Sequence, residues 1–262
     1  MTKYTINLLV FFILISLNAI AQTGPGGVGS TDGTSDLVLW LDANTVNQND
    51  NSEVTSWSDN SGYNNNAIAP VGTGPQFKVN NINGYPQIKF DISNTEYLGV
   101  YNNNSNHSLQ MDEQLTVFVV GKLTSATDTW GAFVSRSEDN SWSKGYALYR
   151  DVNNDNNNLT VGGYVGKWSD SRTTTAIQTN QNTIMSLHYD YSDHNLSLFR
   201  NEDETNRYYD KKIHSQKAET LWLGWARGVG NGHYLDGDVA ETIILKRTVN
   251  VAERIIIHNY LS

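Results

Sequence analysis

Cysteine is absent from all 262 residues, so no disulfide can staple the fold and no thiolate is on hand for zinc or nucleophilic chemistry. The chain must stand on buried apolar surface, which a chain of this length can supply. Basic residues are scarce, with 18 Lys and Arg against 27 Asp and Glu and a formal net charge of −9. That balance excludes nucleic acid as a partner, because phosphate backbones are held by clustered Lys and Arg. It is compatible with a neutral sugar, a protein or calcium. Proline and methionine are rare, at 4 and 3 residues. There is no phosphate-cradling glycine motif, no G-x-S-x-G elbow, no Cys/His zinc spacing and no internal repeat. The longest apolar run, Leu8 to Ile15, falls short of the roughly 20 residues a bilayer span needs.

What is present is aromatic and turn-rich: 7 Trp, 14 Tyr and 21 Gly, with abundant Asn. Trp, Tyr, Val, Ile and Thr suit pleated strands, while Asn, Asp and Gly suit turns. Apolar or alternating runs recur at 37–41, 54–57, 87–90, 115–121, 132–135, 146–150, 159–165, 183–191, 196–200, 221–226 and 239–246. Such a series predicts antiparallel sheets packed face to face. Tyr189 to Asn195 (YDYSDHN) reads as a hairpin that sends Met185, Leu187, Tyr189, Leu196 and Leu198 to the core. The polar stretch 151–158 reads as a second hairpin; without a twelfth-position Glu it is not an EF-hand. At the end, Asn250 and Glu253 form a capping-box pattern. Val251, Ile255, Ile256 and Tyr260 follow at helical spacing, which predicts a short helix packed on the sandwich.

Residues 1–21 carry Lys3, the apolar run and Ala19-Ile20-Ala21, the three parts of a cleavable export signal. Residues 22–35 are Gly-rich without apolar periodicity and are expected to be a flexible lead-in. Residues 36–262 are then one domain. The mature chain is expected to be secreted or at the cell surface, or in the periplasm, with no membrane span after cleavage.

Pro25-Gly26-Gly27-Val28-Gly29, Leu37-Val38-Leu39-Trp40-Leu41-Asp42-Ala43 and the Trp57-Ser58-Asp59-Asn60-Ser61-Gly62 loop, in that order, carry a resemblance. Gly84-Tyr85-Pro86 through Phe90-Asp91 with Tyr97-Leu98, then Leu235 through Ile244, then Val251 through Leu261 extend it. Together they resemble the laminin-G-like domains of secreted bacterial surface proteins, a concanavalin A-like jelly roll. The resemblance implies an all-β sandwich of two antiparallel sheets with a short C-terminal helix, and glycan or protein binding, often with calcium.

Three sets of residues are candidates for chemistry. Asp236, Asp238 and Glu241 have a spacing that resembles the E-x-D-x-x-E strand of laminarinase-type hydrolases, whose retaining chemistry needs two carboxyls about 5–5.5 Å apart. Asp replaces the first Glu and Gly237 interrupts the strand, so the trio is read as architecture and no catalytic residue is assigned. By strict alternation Glu241 joins Val239, Ile243 and Leu245 on the core face, opposite Asp238. A carboxylate there needs a partner: calcium shared with the Asp59 loop, an arginine or backbone amides would each serve, and the alternative for Asp59 is a plain Asx-turn. Trp40, Trp57 and Trp222 lie in apolar runs and are assigned to the core. Trp130, Trp142 and Trp168 sit among polar residues and either form a sugar platform or lid the sandwich ends. Arg150, Tyr164 and His188 are expected to line a groove, although a lone His is more often structural. The reading that results is an exported, non-catalytic module that recognises a glycan or cell-surface partner, with calcium as a candidate stabiliser. A glycan hydrolase or lyase on the same fold, or a purely structural surface protein, are the alternatives.

Overall fold

The computed structural model describes residues 23–101, 107–125, 130–137, 142, 144–152, 159–213, 219–226 and 233–262. The expected leader at 1–21 and the polar turn residues 153–158 lie outside the described residues. The strands are β1 (Leu37–Asp42), β2 (Ser56–Trp57), β3 (Ala67–Ile68), β4 (Gln76–Ile82), β5 (Tyr85–Phe90), β6 (Leu98–Val100), β7 (Gln114–Leu123) and β8 (Ala132–Ser137). They continue with β9 (Gly145–Arg150), β10 (Leu159–Val165), β11 (Thr173–Ile177), β12 (Thr183–Asp190), β13 (Asn195–Arg200), β14 (Asp203–Tyr208), β15 (Leu221–Leu223) and β16 (Gly237–Leu245). A single helical turn, α1 (Trp168–Ser171), follows β10, and α2 (Val251–Leu261) ends the chain.

Among the described residues these strands make two eight-stranded antiparallel sheets, the all-β jelly-roll sandwich expected. The first runs β14-β13-β12-β7-β16-β5-β4, with β1 pairing the second half of β16; the second runs β11-β10-β9-β8-β15-β6-β3-β2. Period-two alternation fills the space between them. From β7 come Leu115, Val117 and Val119, from β12 Met185, Leu187 and Tyr189, and from β13 Leu196 and Leu198, all buried in one cluster. They meet Phe133, Tyr146, Leu148, Val161, Val165, Leu221 and Leu223 of the second sheet. Each such side chain contributes about 1.5–3 kcal/mol when fully buried. The hairpin at 189–195 forms as expected, with Asp190 opposite Asn195 and the Asp190 carboxylate accepting from the Ser192 amide at 2.9 Å.

β10 carries two adjacent glycines on opposite faces. A Cβ at Gly163 would collide with the Leu187 side chain reaching across from the first sheet. A Cβ at Gly162 would stand 2.8 Å from the Tyr149 hydroxyl oxygen on the outer face. Both positions need glycine for close approach, not for a special backbone angle.

β16 departs from strict alternation. Between Val239 and Glu241 it takes in an extra residue, since Val239 pairs with Gly121 and Glu241 with Val120 of β7. A one-residue bulge resets the faces of everything downstream. Val239 and Ile244 therefore lie in the inter-sheet core, while Ile243 and Leu245 lie on the outer face with Phe118 and Leu37. Glu241 follows Ile243 outward. The expectation that Glu241 shares the core face with Val239 is corrected by that one residue.

α2 covers this outer face. Its capping box is complete: Asn250 Oδ1 accepts from the Glu253 amide at 3.0 Å and Glu253 Oε2 accepts from the Asn250 amide at 3.0 Å, while Arg247 clamps Glu253. The buried residue is Ile257, against Val28, Phe118, Ile243 and Leu245. Val251, Ile255 and Ile256, expected to face the sandwich, are 67%, 48% and 44% exposed, while Tyr260, at 41%, does meet it, edge-on to Trp40 at 6.3 Å. The helix is apolar on two sides, so spacing alone did not choose the buried one. Residues 23–35, expected to be a loose lead-in, pack beneath it: Val28 is in the same cluster, and Gly26 abuts Ile256 and Tyr260.

Replacing Gly163 by Ala is expected to lower stability by about 1–3 kcal/mol through overpacking against Leu187. Urea unfolding would show a lower midpoint at unchanged slope; an unmoved midpoint would dismiss the close approach.

Candidate functional site

The outer face of the second sheet is covered by aromatic side chains. Tyr149 of β9 and Tyr164 of β10 point outward by alternation from Leu148 and Val165, which face the core. Trp142 stacks on Tyr164 at 5.6 Å and 8° between planes, and Trp130 stacks on Tyr149 at 5.9 Å. Trp168, on α1, stands edge-on to Trp130 at 5.5 Å. Trp130, Trp142, Trp168 and Tyr164 are thus brought together, with Trp142, Tyr149 and Tyr164 buried beneath the half-buried Trp130 and Trp168.

Polar bonds lock the cluster. The Trp168 indole N–H donates to the Tyr149 hydroxyl at 2.6 Å, and that hydroxyl donates to Asp151 Oδ2 at 3.2 Å. Arg172 Nε lies 3.3 Å from the same carboxylate oxygen, and its guanidinium sits 4.7 Å above the Trp168 ring. Burial first, then the Asp151 charge, holds the Tyr149 phenol well above its usual range, so it stays a donor.

A second aromatic group extends the face toward β6. Trp222 of β15 points outward between the buried Leu221 and Leu223. It meets Trp225 at 4.8 Å, Tyr97 at 5.5 Å and Tyr101 at 5.7 Å, and Trp225 stacks on Tyr234 at 6.1 Å. Ser135 of β8, register partner of both Trp222 and Ala147, joins the groups by donating to the Trp225 carbonyl at 2.8 Å. Trp222, assigned to the core from sequence, is instead half-buried on the outer face, whereas Trp57 is fully buried in the core. Trp40, also assigned there, is half-buried beneath α2. The alternation Leu221-Trp222-Leu223 held the signal for Trp222; Tyr149 and Trp225 lay within apolar runs without being singled out as outward rings, and Tyr101 and Tyr234 lay in no run.

The groove expected from Arg150, Tyr164 and His188 does not form. Arg150 follows Leu148 toward the interior, and its Nη1 donates to the carbonyls of Asp151 at 2.9 Å and Thr160 at 3.3 Å. His188 lies on the outer face of the other sheet, with the whole sandwich between it and Tyr164. There its ring is edge-on to Phe118 at 5.3 Å and Phe199 at 4.9 Å, and its Nε2 is 2.8 Å from Ser186 Oγ. Burial first, then Arg254 of α2, pushes its pKa down to about 3.

The three strand-end acids go to three different partners. Asp236 accepts from Ser125, Asp238 pairs with Lys122 at 3.3 Å, and Glu241 Oε1 accepts from the Trp40 indole at 2.7 Å. Asp59 holds the backbone of the same tryptophan: its Oδ1 accepts from the Trp40 and Ser61 amides, each at 2.9 Å. Its Oδ2 accepts from Ser61 Oγ at 2.7 Å and from the Asn65 amide at 2.9 Å. Four hydrogens aimed at one carboxylate leave no face for a cation, and no group of three metal-ligating side chains is found among the described residues. The pair Asp59 and Glu241 meets at Trp40 and does not fit a calcium ion.

No family model matches the sequence, and neither does any curated protein. Among solved structures the chain is similar to the binding domain of botulinum neurotoxin serotype G, at 12% identity and a TM-score of 0.57 over 86% of this chain and 50% of that one. It is similar also to the binding domain of serotype D/C VPI 5993, at 15% identity and a TM-score of 0.57 over 87% of this chain and 52% of that one. The chain spans about half the length of both, and the likeness is one of fold.

Two outcomes test these placements. The melting temperature is expected to be the same in calcium and in chelator, while Asp59→Ala lowers stability by about 2–4 kcal/mol by orphaning part-buried donors around Trp40. A calcium-dependent rise lost in Asp59→Ala would reinstate the ion. For His188, the folded pKa is depressed below the ordinary histidine value of about 6.5. The unfolded chain therefore binds the extra proton, and stability falls as pH drops from about 6.5 toward about 3. The stability difference between the parent and His188→Asn is expected to narrow by about 1.4 kcal/mol per pH unit between pH 6 and 4. A constant gap in chemical unfolding would contradict a neutral buried ring.

Proposed function

We propose that this chain is a non-catalytic binding module that takes a neutral glycan across the aromatic outer face of its second sheet. The observation that carries the reading is a set of partly exposed rings held by other rings: Trp130 and Trp168 over the buried Trp142, Tyr149 and Tyr164, and Trp222, Trp225 and the exposed Tyr101 against one another. Sugar rings present apolar C–H faces bordered by hydroxyls, and an indole or phenol face offers matching apolar surface with a polar edge. A platform whose rings are already fixed by stacking loses little side-chain entropy on binding. The paired charges of Arg172 and Asp151 add donors and acceptors without a net field, which suits an uncharged ligand. Fold alone argues little, since a β-sandwich hosts many activities; the laminin-G-like motifs and the fold shared with neurotoxin binding domains add weight on the side of binding. In this reading the leader at 1–21 carries the chain out of the cytoplasm, and the aromatic face works at or beyond the cell surface.

Retention of the chain on immobilised neutral polysaccharides, measured by affinity electrophoresis, tests the reading. Trp222→Ala and Tyr101→Ala are expected to weaken binding about tenfold or more, a loss of about 1.4 kcal/mol or greater, with the far-UV spectrum unchanged. His188→Asn, on the opposite sheet, leaves retention as it was. A parent that is retained on no neutral glycan, or variants retained like the parent, would refute the aromatic face as the binding surface.

A further inference from the structure

On the far side of the molecule, where α2 meets the turn between β4 and β5, lies a cavity of about 260 Å³. Ile82, Asn83, Tyr85 and Pro86 form one wall, Tyr260 and Leu261 another, and Val120, Ala240 and Glu241 the floor. Glu241 is only 8% exposed. Its neighbours are donors and a second acid: the Trp40 indole at 2.7 Å and the Tyr260 hydroxyl, with Asp42 its register partner across β1 and β16. No lysine or arginine lines the cavity among the described residues, and neither carboxyl has a cationic partner there. The nearest base along β7, Lys122, is committed to Asp238. A buried carboxyl beside a second acid, with no counter-charge, is costly to ionise.

We propose that this cavity is a binding site for a small primary ammonium group, seated against Glu241, with Asp42 adding its charge from beside it, and flanked by Tyr85 and Tyr260. Three features recommend an ammonium over other occupants. A buried carboxyl gains most from a compact cation with several hydrogens, because Coulomb attraction is strong where water is excluded. Tyr85 at 60% exposure and Tyr260 at 41% offer ring faces of the kind that attract ammonium groups. The volume lies below the roughly 300 Å³ at which sites for drug-sized ligands begin, which fits a head group and not a whole oligosaccharide. The proposal does not depend on the aromatic face, which is on the opposite sheet.

Burial first, then Asp42, pushes the Glu241 carboxyl up to about 8. At neutral pH it therefore carries a proton, and an arriving ammonium drives that proton into solvent. The groups facing it are Trp40 and Asp42 from β1, Tyr260 from α2, and Tyr85 and Asn83 from the β4–β5 hairpin. The Tyr260 phenol is itself raised by burial and by Glu241, so it stays a donor throughout the working range. One proton released per ligand bound means affinity rises with pH below that range and levels off above it.

Titration calorimetry of the full chain with Nα-acetyl-lysine amide, whose amine ionises near 10.4 like any lysine, is the test. Binding is expected to tighten about tenfold per pH unit from 6 to 7, with heats that depend on the buffer's own ionisation. The Nε-acetylated analogue does not bind. Glucosamine at pH 6, compared with N-acetylglucosamine, tells whether an amino sugar or a lysine side chain suits the cavity; binding of either amine over its acetylated partner supports the site. Glu241→Gln removes binding and the proton release while melting like the parent or higher above pH 8, and Trp222→Ala retains both. Equal binding of amine and amide, no binding of either amine by a folded parent, or undiminished binding in Glu241→Gln would overturn the proposal.

Discussion

Between Val239 and Glu241 the central strand β16 takes in one residue more than its neighbour β7, and the contents of both faces of the first sheet follow from it. Upstream, Val239 fills the inter-sheet core; downstream, Ile244 does so, an odd number of residues away, which an unbroken strand would forbid. Without the bulge, Ile243 and Leu245 would enter a core already full and Glu241 would be buried between the sheets. With it, those two apolar side chains lie outside with Phe118 and Leu37, and a third layer is needed to cover them. The C-terminal helix and residues 24–29 form that layer, joined to the sheet at Ile257 and to each other at Gly26. Glu241 sits where the layer ends, bound to Trp40 of β1 and Tyr260 of α2. It ties strand, sheet and helix together through a carboxyl that burial keeps protonated at neutral pH.

Strands with a clear pattern were legible. The apolar runs located β1, β7, β12, β13 and β16 within a residue or two, and the Asn250/Glu253 pair located the helix start, because burial and capping leave local marks. The unread strands are β3, β4, β6, β11 and β14. β14 (DETNRY) is exposed along its whole length and lies at an edge, so nothing apolar marks it; it is a strand because β13 offers it a ladder. β3 and β6 are two and three residues long, too short to show a period.

Site residues divided along the same line. Trp130, Trp142 and Trp168 were legible as a set because polar neighbours argued against core positions, and tertiary structure does gather them. His188 was misplaced because parity gives a face within one sheet but says nothing about which sheet, and Arg150, in the same sheet as Tyr164, shares the inward parity of Leu148. The Asp59 reading failed on a count of donors. W-S-D-N-S-G looks rich in oxygen, yet the loop folds so that its N–H and O–H groups, not its oxygens, converge on the carboxylate. An Asx-turn and a calcium loop share a composition and differ in which way the backbone dipoles point.

Both sheets face the same physical problem, and they meet it differently. Each carries apolar side chains on its outer face as well as its inner one. The first covers them with backbone, a helix whose own amides are satisfied internally, leaving one cavity at the helix end. On the second, aromatic side chains do the covering: Tyr149, Tyr164 and Trp142 are buried by Trp130 and Trp168, and no described helix longer than the single turn α1 lies over them. A cover made of rings is thinner than a helix, and its outermost members remain half in water; the Trp168 indole N–H is engaged by Tyr149 and Arg172 lies over its ring. Large, contiguous, rigid and incompletely solvated surface of this kind is uncommon on a monomeric protein without a partner. The glycan face we propose is thus built from the second sheet's cover of rings, and the ammonium site we propose lies where the first sheet's helix ends.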